Sequence, residues 1–158
     1  MPAPRKTSLL IKILVAGAIA AQLTFPVPPA DSIPRGCSLT LHVDGFRNRK
    51  GVLGCAVFSS SKGWPEDDDK AYTRAAIPIM ASSAVLTFPR VPPGRYGIVC
   101  LHDENSNHRL DRNLFRVPKE GFGFANNPHV AFSAPSWKDA SIEVACPATQ
   151  VDIHLIYK

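Results

Sequence analysis

The stretch that decides the fold is CSLTLHVDGFRNRKGVLGCAVF, residues 37–58. In its first part polar and apolar residues alternate, and the apolar positions are Leu39, Leu41 and Val43. A helix would repeat its apolar residues about every 3.6 positions, so this period of two predicts a β-strand with one buried face.

The second part of this stretch predicts a turn and another strand. Residues 48–51 (NRKG) have the composition of a hairpin connection, in which Gly51 can adopt the positive φ angle that such turns need. The run that follows, residues 52–58, is almost wholly apolar, as expected for a strand that is buried on both faces. We therefore predict that the two strands pair antiparallel.

Further along the chain, short strands and turns predominate. Four more strands are predicted, at residues 84–88, 96–102, 141–146 and 151–157. Residues 71–83 are predicted to form a turn or two of helix that ends before Pro78, and residues 121–127 an irregular segment rich in Gly and Asn. Six or seven strands with almost no helix predict an all-β fold, a single-domain antiparallel β-sandwich that resembles prealbumin-like or surface-protein B-type modules.

The N-terminus has the features of a secretory leader. Two basic residues precede an apolar stretch, and residues 18–20 (Ala-Ile-Ala) provide a small-x-small cleavage site. We predict a signal peptide at residues 1–20, a proline-rich tether at 21–36 and the folded domain at 37–158, with an uncleaved leader acting as a membrane anchor as the alternative. The protein is therefore expected to be periplasmic or secreted.

The net charge of +5 overstates how basic the predicted domain is. Three of the eighteen basic residues lie in the predicted leader, which leaves fifteen basic residues against thirteen acidic ones. The remaining basic residues are scattered among acidic residues and form no stripe interleaved with aromatic residues. Nucleic acid is therefore not an expected partner.

Four cysteines in a small exported chain predict disulfide bonds. No Cys-x-x-Cys pair occurs, which argues against zinc and against thioredoxin-like redox chemistry. The sequence allows three pairings, of which we favour Cys37 with Cys146 and Cys55 with Cys100. One or two buried free thiols are the alternative.

Residues 103–111 (DENSNHRLD) predict a loop that binds a cation. Carboxylate or amide oxygens recur there at alternate positions, which is the spacing by which the EF-hand loop surrounds calcium. The predicted calcium ligands are Asp103, Asn105, Asn107, the backbone carbonyl of Arg109, and Asp111.

The loop departs from the EF-hand pattern, and these departures leave an alternative open. His108 stands where glycine permits the sharp turn, Leu114 stands where a bidentate Glu belongs, and no amphipathic helix flanks the loop. Histidine tolerates the left-handed conformation, and further ligands could come from Glu120, Asn126 or Asn127. With two carboxylates we expect weak calcium binding, with a Kd of about 10⁻⁴ to 10⁻³ M. The alternative is a metal-free turn in which Asp and Asn side chains bond to their own backbone.

Two further groups of residues are candidates for a functional role. His102, Asp103 and Glu120 could serve a small periplasmic hydrolase if their side chains converged in one pocket, although no motif positions a Ser or Cys nucleophile. A set of aromatic residues could line a ligand pocket or pack one end of the sandwich: Phe122, Phe124, Phe132 and Trp137. We favour a structural histidine and aromatic packing.

Three blocks of sequence resemble a bacterial family called domain of unknown function 2141. They are PPGRY at residues 92–96, HDENSNHRLDRN at 102–113 and VPKEGFGFANN at 117–127. In the family pattern a glycine usually occupies the place of His108, and a Gly-Ile-Pro-like stretch the place of residues 116–118. The resemblance covers residues 37–157 and implies an exported protein with a β-sandwich fold, but it implies no activity.

These features together predict an exported, non-catalytic envelope module that binds a ligand or a protein, with its Asp- and Asn-rich loop fastened by weakly bound calcium. The expected partner is a small ligand or an envelope protein. Contact with the membrane is expected only if the leader is not cleaved. The alternatives are the hydrolase and a purely structural envelope protein with a metal-free loop.

Overall fold

Eight β-strands and one short 3₁₀ helix make up the regular structure of residues 36–158, the part of the chain that the computed structural model describes. The strands are β1 (Cys37–Asp44), β2 (Val52–Phe58), β3 (Thr73–Pro78), β4 (Ser83–Val91), β5 (Gly94–Asp103), β6 (Gly121–Phe124), β7 (Ser141–Val144) and β8 (Ala148–His154), and the 3₁₀ helix is Asp68–Lys70. The predicted signal peptide (1–20) and, except for Gly36, the predicted tether (21–36) lie outside the described residues. Within residues 36–158, no helix has the length and apolar character needed to span a membrane.

The strands form two sheets. The three-stranded sheet has the order β4-β1-β8, and the five-stranded sheet has the order β3-β2-β5-β6 with β7 also paired to β5. Every pairing between named strands is antiparallel except that of β1 with β8, which is parallel. The predicted all-β sandwich is therefore confirmed.

The core lies between the inner faces of the two sheets. The alternating residues of β1 point into it, and Leu39, Leu41 and Val43 are almost completely buried. They belong to one cluster with Leu53 of β2 and Ile98 of β5. Because burying one such side chain contributes about 1.5 to 3 kcal/mol, the period of two in the first strand is a main source of the fold's stability.

Two disulfide bonds cross-link the domain. Cys55 and Cys100 face each other directly on β2 and β5 and are bonded, while a second bond joins Cys37 at the start of β1 to Cys146 between β7 and β8. Both favoured pairings are confirmed. Since disulfides persist in oxidising compartments, they indicate that the protein resides outside the reducing cytoplasm.

The predicted hairpin between the first two strands is wrong. β1 is bonded on one edge to β4 and on the other to β8, so neither edge is available to β2. Residues 45–51 instead carry the chain from one sheet to the other, with Gly51 at a φ of 71° as expected. The alternation specified which face of β1 is buried, but it contains no information about the partner strand.

Two segments that were predicted as non-strand are strands. Thr73–Pro78, predicted as helix, pairs with β2 as β3, and its Ala75 and Ile77 pack on the core. Gly121–Phe124, predicted as irregular, pairs with β5 as β6. In both cases pairing with a buried neighbouring strand outweighs a weak local preference, and the strand count rises from the predicted six or seven to eight.

Candidate functional site

The outer face of the five-stranded sheet carries a groove of about 1160 Å³. Its floor consists of side chains that alternate with core residues along the strands and therefore point away from the core. These floor residues are Gly54, Ala56, Ala76, Val99, Leu101, Phe122 and Phe124. On β2 and β3 they are small, and this leaves space above the sheet.

One wall of the groove is a segment that crosses the sheet, which we call the strap (residues 108–118). The chain leaves β5 at Asp103, which pairs with Val52 at the first end of β2. The Arg112 guanidinium nevertheless forms an ion pair with Glu66, in the loop that follows the other end of β2. Because the seven residues of β2 extend over roughly 20 Å, the strap must pass across the outer face of the sheet.

The second wall is formed by residues 130–134, and two tryptophan hydrogen bonds anchor the chain directly after it. The Trp64 Nε1–H donates to the Pro135 carbonyl at 2.9 Å, and the Trp137 Nε1–H donates to the Phe58 carbonyl at 3.0 Å. Phe132 in this wall and Phe115 in the strap both line the groove and are largely exposed. Of the predicted aromatic set, Trp137 therefore packs and Phe132 lines the groove. Phe122 and Phe124 do both, because they are buried in one cluster with Val130 and Ala140 and also line the groove.

The strap begins in the Asp- and Asn-rich loop, whose side chains do come together. Asp103 is 1% exposed, and its two carboxylate oxygens accept the backbone N–H groups of Asn107 and His108 at 3.1 and 2.7 Å. The Asp111 carboxylate accepts the side-chain amides of Asn105 and Asn107 at 2.7 and 3.0 Å. His108 has a φ of 61°, the left-handed conformation that its place in the loop requires.

Glu120 joins the two ends of this loop. It is 3% exposed, and its two oxygens accept the backbone N–H groups of Glu104 and Asp111, each at 2.9 Å. It reaches them because the next residue, Gly121, pairs with His102 at the end of β5. Hydrogen bonds to a carboxylate are stronger than those between neutral groups, so Glu120 holds the loop closed.

Asn126 and Asn127, predicted as further ligands, are not brought to the loop. β6 runs antiparallel to β5, and its last residue, Phe124, lies opposite Val99. Val99 is four residues, or about 13 Å, from Asp103 along β5, and the two asparagines follow Phe124 in the direction away from the loop. Their side-chain amides donate instead to the backbone carbonyls of Ser141 and Asp152. They fasten neighbouring strands.

Among residues 36–158, no group of three or more His, Cys, Asp or Glu side chains is arranged to hold a metal ion. Calcium also accepts amide and carbonyl oxygens, which the loop offers at Asn105, Asn107 and Arg109. Calcium binding at the loop therefore stays a prediction.

The residues of the predicted hydrolase do not share a pocket. His102 is completely buried on the inner side of the sheet, where its Nε2 donates to the Lys50 carbonyl at 2.9 Å and its Nδ1 lies 2.6 Å from the Tyr157 hydroxyl. Asp103, the next residue, points to the outer side and lines the groove, but His102 and Glu120 do not. In this arrangement His102 has a packing role, and burial raises the pKa of its partner Tyr157.

Ionic contacts tie the loop to the crossing segment between β1 and β2. The Arg47 Nε–H donates to Glu104 at 2.6 Å and the Asn48 side-chain amide donates at 3.1 Å. Burial alone would raise the pKa of Glu104, but the hydrogen bonds from Asn48 and Arg47 and the charge of the guanidinium outweigh it and lower that pKa. The carboxylate form of Glu104 is thus part of the folded loop.

The sequence reasoning missed the groove and most of its lining. It assigned calcium ligands at Arg109 and Asp111 but no function to the rest of the strap, to the small floor residues, or to the basic residues Arg74, Arg112 and Arg116 that line the groove. One signal was present: Leu114 and Phe115 are adjacent apolar residues in an otherwise polar stretch, and both are largely exposed. Exposed apolar residues in a loop indicate an interaction surface.

A comparison with known families gives one match. The family model described as an uncharacterized protein conserved in bacteria (DUF2141) matches residues 41–152, a range that includes β2 to β7, the loop and the strap. No curated protein and no solved structure matches the chain. The match covers well over half of the chain and confirms the resemblance noted in the sequence, so this protein belongs to the DUF2141 family.

Proposed function

We propose that the protein is an exported, non-catalytic module that binds a small, largely apolar ligand in the groove above the five-stranded sheet. The observation that carries the proposal is the combination of an apolar floor, about 1160 Å³ of space above it, and exposed phenylalanines in both walls. Ligand sites are typically concave and mostly apolar, with a few polar groups at fixed places.

The floor supports this proposal because the space above Gly54 is left unfilled. A Cβ atom added to Gly54 in the middle of β2 would meet no atom within 4 Å. Glycine inside a strand costs about 0.5 to 1 kcal/mol relative to alanine, and protein interiors are normally close-packed. Space kept above an apolar floor at such a cost is expected where a ligand enters.

The walls support it as well, because they are held in fixed positions. The strap is fastened at its root by the Asp103 and Glu120 hydrogen bonds and further along by the Arg112 ion pair with Glu66. A binding site gains affinity when its walls are ordered before the ligand arrives.

The test is a substitution that fills the groove. N-phenyl-1-naphthylamine is a neutral apolar compound whose fluorescence rises in an apolar site, and we expect the protein to bind it. Gly54→Leu places a large side chain in the groove without a clash at Cβ, so the variant should fold and bind the compound at least tenfold more weakly.

The matched control is Thr87→Leu, which adds a similar apolar side chain to the exposed face of the other sheet. This variant should bind the compound as the unmodified protein does. Equal binding by folded Gly54→Leu, or equal losses in the two variants, would contradict the proposal.

We also propose that export delivers the protein to the periplasm or the medium, which the two disulfides support. The loop is proposed as the place where calcium would bind weakly and stiffen the root of the strap. The closeness of the Asp103, Asn105, Asn107 and Asp111 side chains in this loop supports that idea.

A further inference from the structure

We propose that the ligand of the groove is a single-chain amphiphile, with an unbranched hydrocarbon tail on the floor and a carboxylate head group at Arg109 and Arg116. This inference rests on the proposed function, and it adds the chemical class of the ligand. Its three supports are the unequal charges around the groove, the paired backbone of the floor and the apolar walls.

The charges that line the groove are unequal. Five basic side chains line it, Arg74, Arg109, Arg112, Arg116 and Lys158, against three acidic ones, Glu66, Asp68 and Asp103. All three acidic groups are already engaged: Glu66 with Arg112, Asp68 with Arg74 at 3.7 Å, and Asp103 with the amides of its own loop.

Two guanidinium groups of the strap are left for a ligand. Within residues 36–158, no carboxylate lies within 4.0 Å of the basic groups of Arg109 or Arg116. Both residues line the groove. A guanidinium presents a planar fork of donors that matches a carboxylate, so a ligand with that head group complements the strap.

The floor favours a hydrocarbon chain over a peptide. It is the face of a sheet, and the two strands at its centre are bonded on both edges, β2 to β3 and β5, and β5 to β2, β6 and β7. A peptide lying on this face would find no free backbone partners for its own amide groups, and burying them unpaired costs free energy. A hydrocarbon chain has no such groups.

The test compares two ligands that differ only in the head group. Decanoate, below its critical micelle concentration, and decan-1-ol, below its solubility limit, are titrated separately against the complex of the protein with N-phenyl-1-naphthylamine. Decanoate should displace the compound at about tenfold lower concentration than decan-1-ol, because one charge-assisted hydrogen bond contributes roughly that factor. Lengthening the tail should improve displacement by about fourfold for each methylene that is buried.

Variants separate the head group from the tail. Arg109→Gln with Arg116→Gln should remove the preference for decanoate and leave decan-1-ol displacement unchanged. The control double variant, Arg49→Gln with Arg90→Gln, makes the same change in net charge at residues that do not line the groove, and it should keep the preference. Added salt should weaken the binding of decanoate to the unmodified protein but not the binding of decan-1-ol, because only decanoate is charged. This measurement tests the head group without any substitution.

The outcomes distinguish failure of the carboxylate inference from failure of the proposed binding groove. Equal displacement by both ligands, lost in Gly54→Leu, would overturn the carboxylate inference and leave the binding groove in place. Tighter binding to anionic phospholipid vesicles than to free decanoate, or stronger competition by an acidic apolar peptide, would also overturn it. If neither ligand nor the naphthylamine binds, both the inference and the proposed function fail.

Discussion

At the scale of single residues, the loop is held against the sheet by a close approach at Gly51 and by the hydrogen bonds of Glu120. Gly51 has a φ of 71°, and a Cβ added to it would lie 1.9 Å from the Asp103 carbonyl oxygen. Both its conformation and the space beside it exclude a side chain. The chain can cross between the sheets at this place only because the residue is glycine.

Gly51→Ala should therefore destabilise the protein strongly. The left-handed conformation and the overlap with Asp103 together should lower the free energy of unfolding by about 3 kcal/mol, measured by urea denaturation. Gly54→Ala is the control, since its Cβ would meet nothing within 4 Å, and it should change stability by less than about 1 kcal/mol. Equal effects of the two substitutions would contradict this reading of Gly51.

Glu120→Gln should lower the free energy of unfolding by about 2 to 3 kcal/mol. Glu120 accepts hydrogen bonds from two backbone N–H groups, and in the variant one of them would face the NH₂ group of Gln and stay unpaired. The exposed Glu143→Gln is the control and should cost less than about 0.5 kcal/mol. Hydrogen exchange adds a local measure: the amides of Glu104 and Asp111 should lose protection in Glu120→Gln. If their protection is unchanged, Glu120 does not close the loop.

Much of this residue-level detail is local and could be predicted. The positive φ angles of Gly51 and His108 follow from turn chemistry within a few residues. The sequence suggested Glu120 only as an additional calcium ligand of the loop. Its burial and its two backbone N–H partners could not be predicted, because they depend on the pairing of β6 with β5.

At the scale of elements, the loop and the crossing segment are joined by a contact that depends on pH. The pKa of Glu104 is below its ordinary value of 4.5, chiefly because Asn48 and Arg47 favour the carboxylate against the opposing effect of burial. A lowered folded-state pKa means that the contact stabilises the protein above pH 4.5 and that this stabilisation is lost as pH falls through the folded pKa.

Glu104→Gln should thus lower the free energy of unfolding by about 1 kcal/mol at pH 7, and by progressively less as the pH falls below 4.5 through the folded pKa. The measurement is the free energy of unfolding of both proteins across this range. A difference between the two proteins that does not decrease as the pH is lowered below 4.5 would show that the carboxylate charge does not contribute.

Calcium at the loop has a matching test at this scale. With a Kd of about 10⁻⁴ to 10⁻³ M, about 5 mM calcium should stabilise the protein by roughly 1 to 2 kcal/mol and raise its Tm by several degrees. Asp111→Asn removes one of the two carboxylates and should abolish the rise, whereas Asp139→Asn, outside the loop, should not. An unchanged Tm in the unmodified protein would leave the metal-free turn as the correct description.

The elements themselves were predictable to different degrees. β1 and β2 were evident because alternation and continuous apolar runs are properties of the segment alone. Their pairing was not, because β1 finds its partners at β4 and β8, far away in sequence. β3 was missed for a related reason: Ala75 and Ala76 have no strong preference, and the strand exists because β2 offers an edge.

At the scale of the whole molecule, the groove is assembled from parts that are distant in sequence. Its floor comes from β2, β3, β5 and β6, one wall is the strap, and the other is formed by residues 130–134. The ion pair between Arg112 and Glu66 joins segments that are 46 residues apart. Sequence periodicity reports burial within one element, so it could predict neither the path of the strap nor the space beneath it.

The most direct test of the binding groove locates a ligand on the protein. In ¹⁵N-labelled protein titrated with N-phenyl-1-naphthylamine, the amide shifts that change should be those of Gly54, Ala56, Leu101 and the strap, while the amides of β1, β4 and β8 stay unchanged. Shift changes confined to the three-stranded sheet, or no saturable change anywhere, would contradict the account.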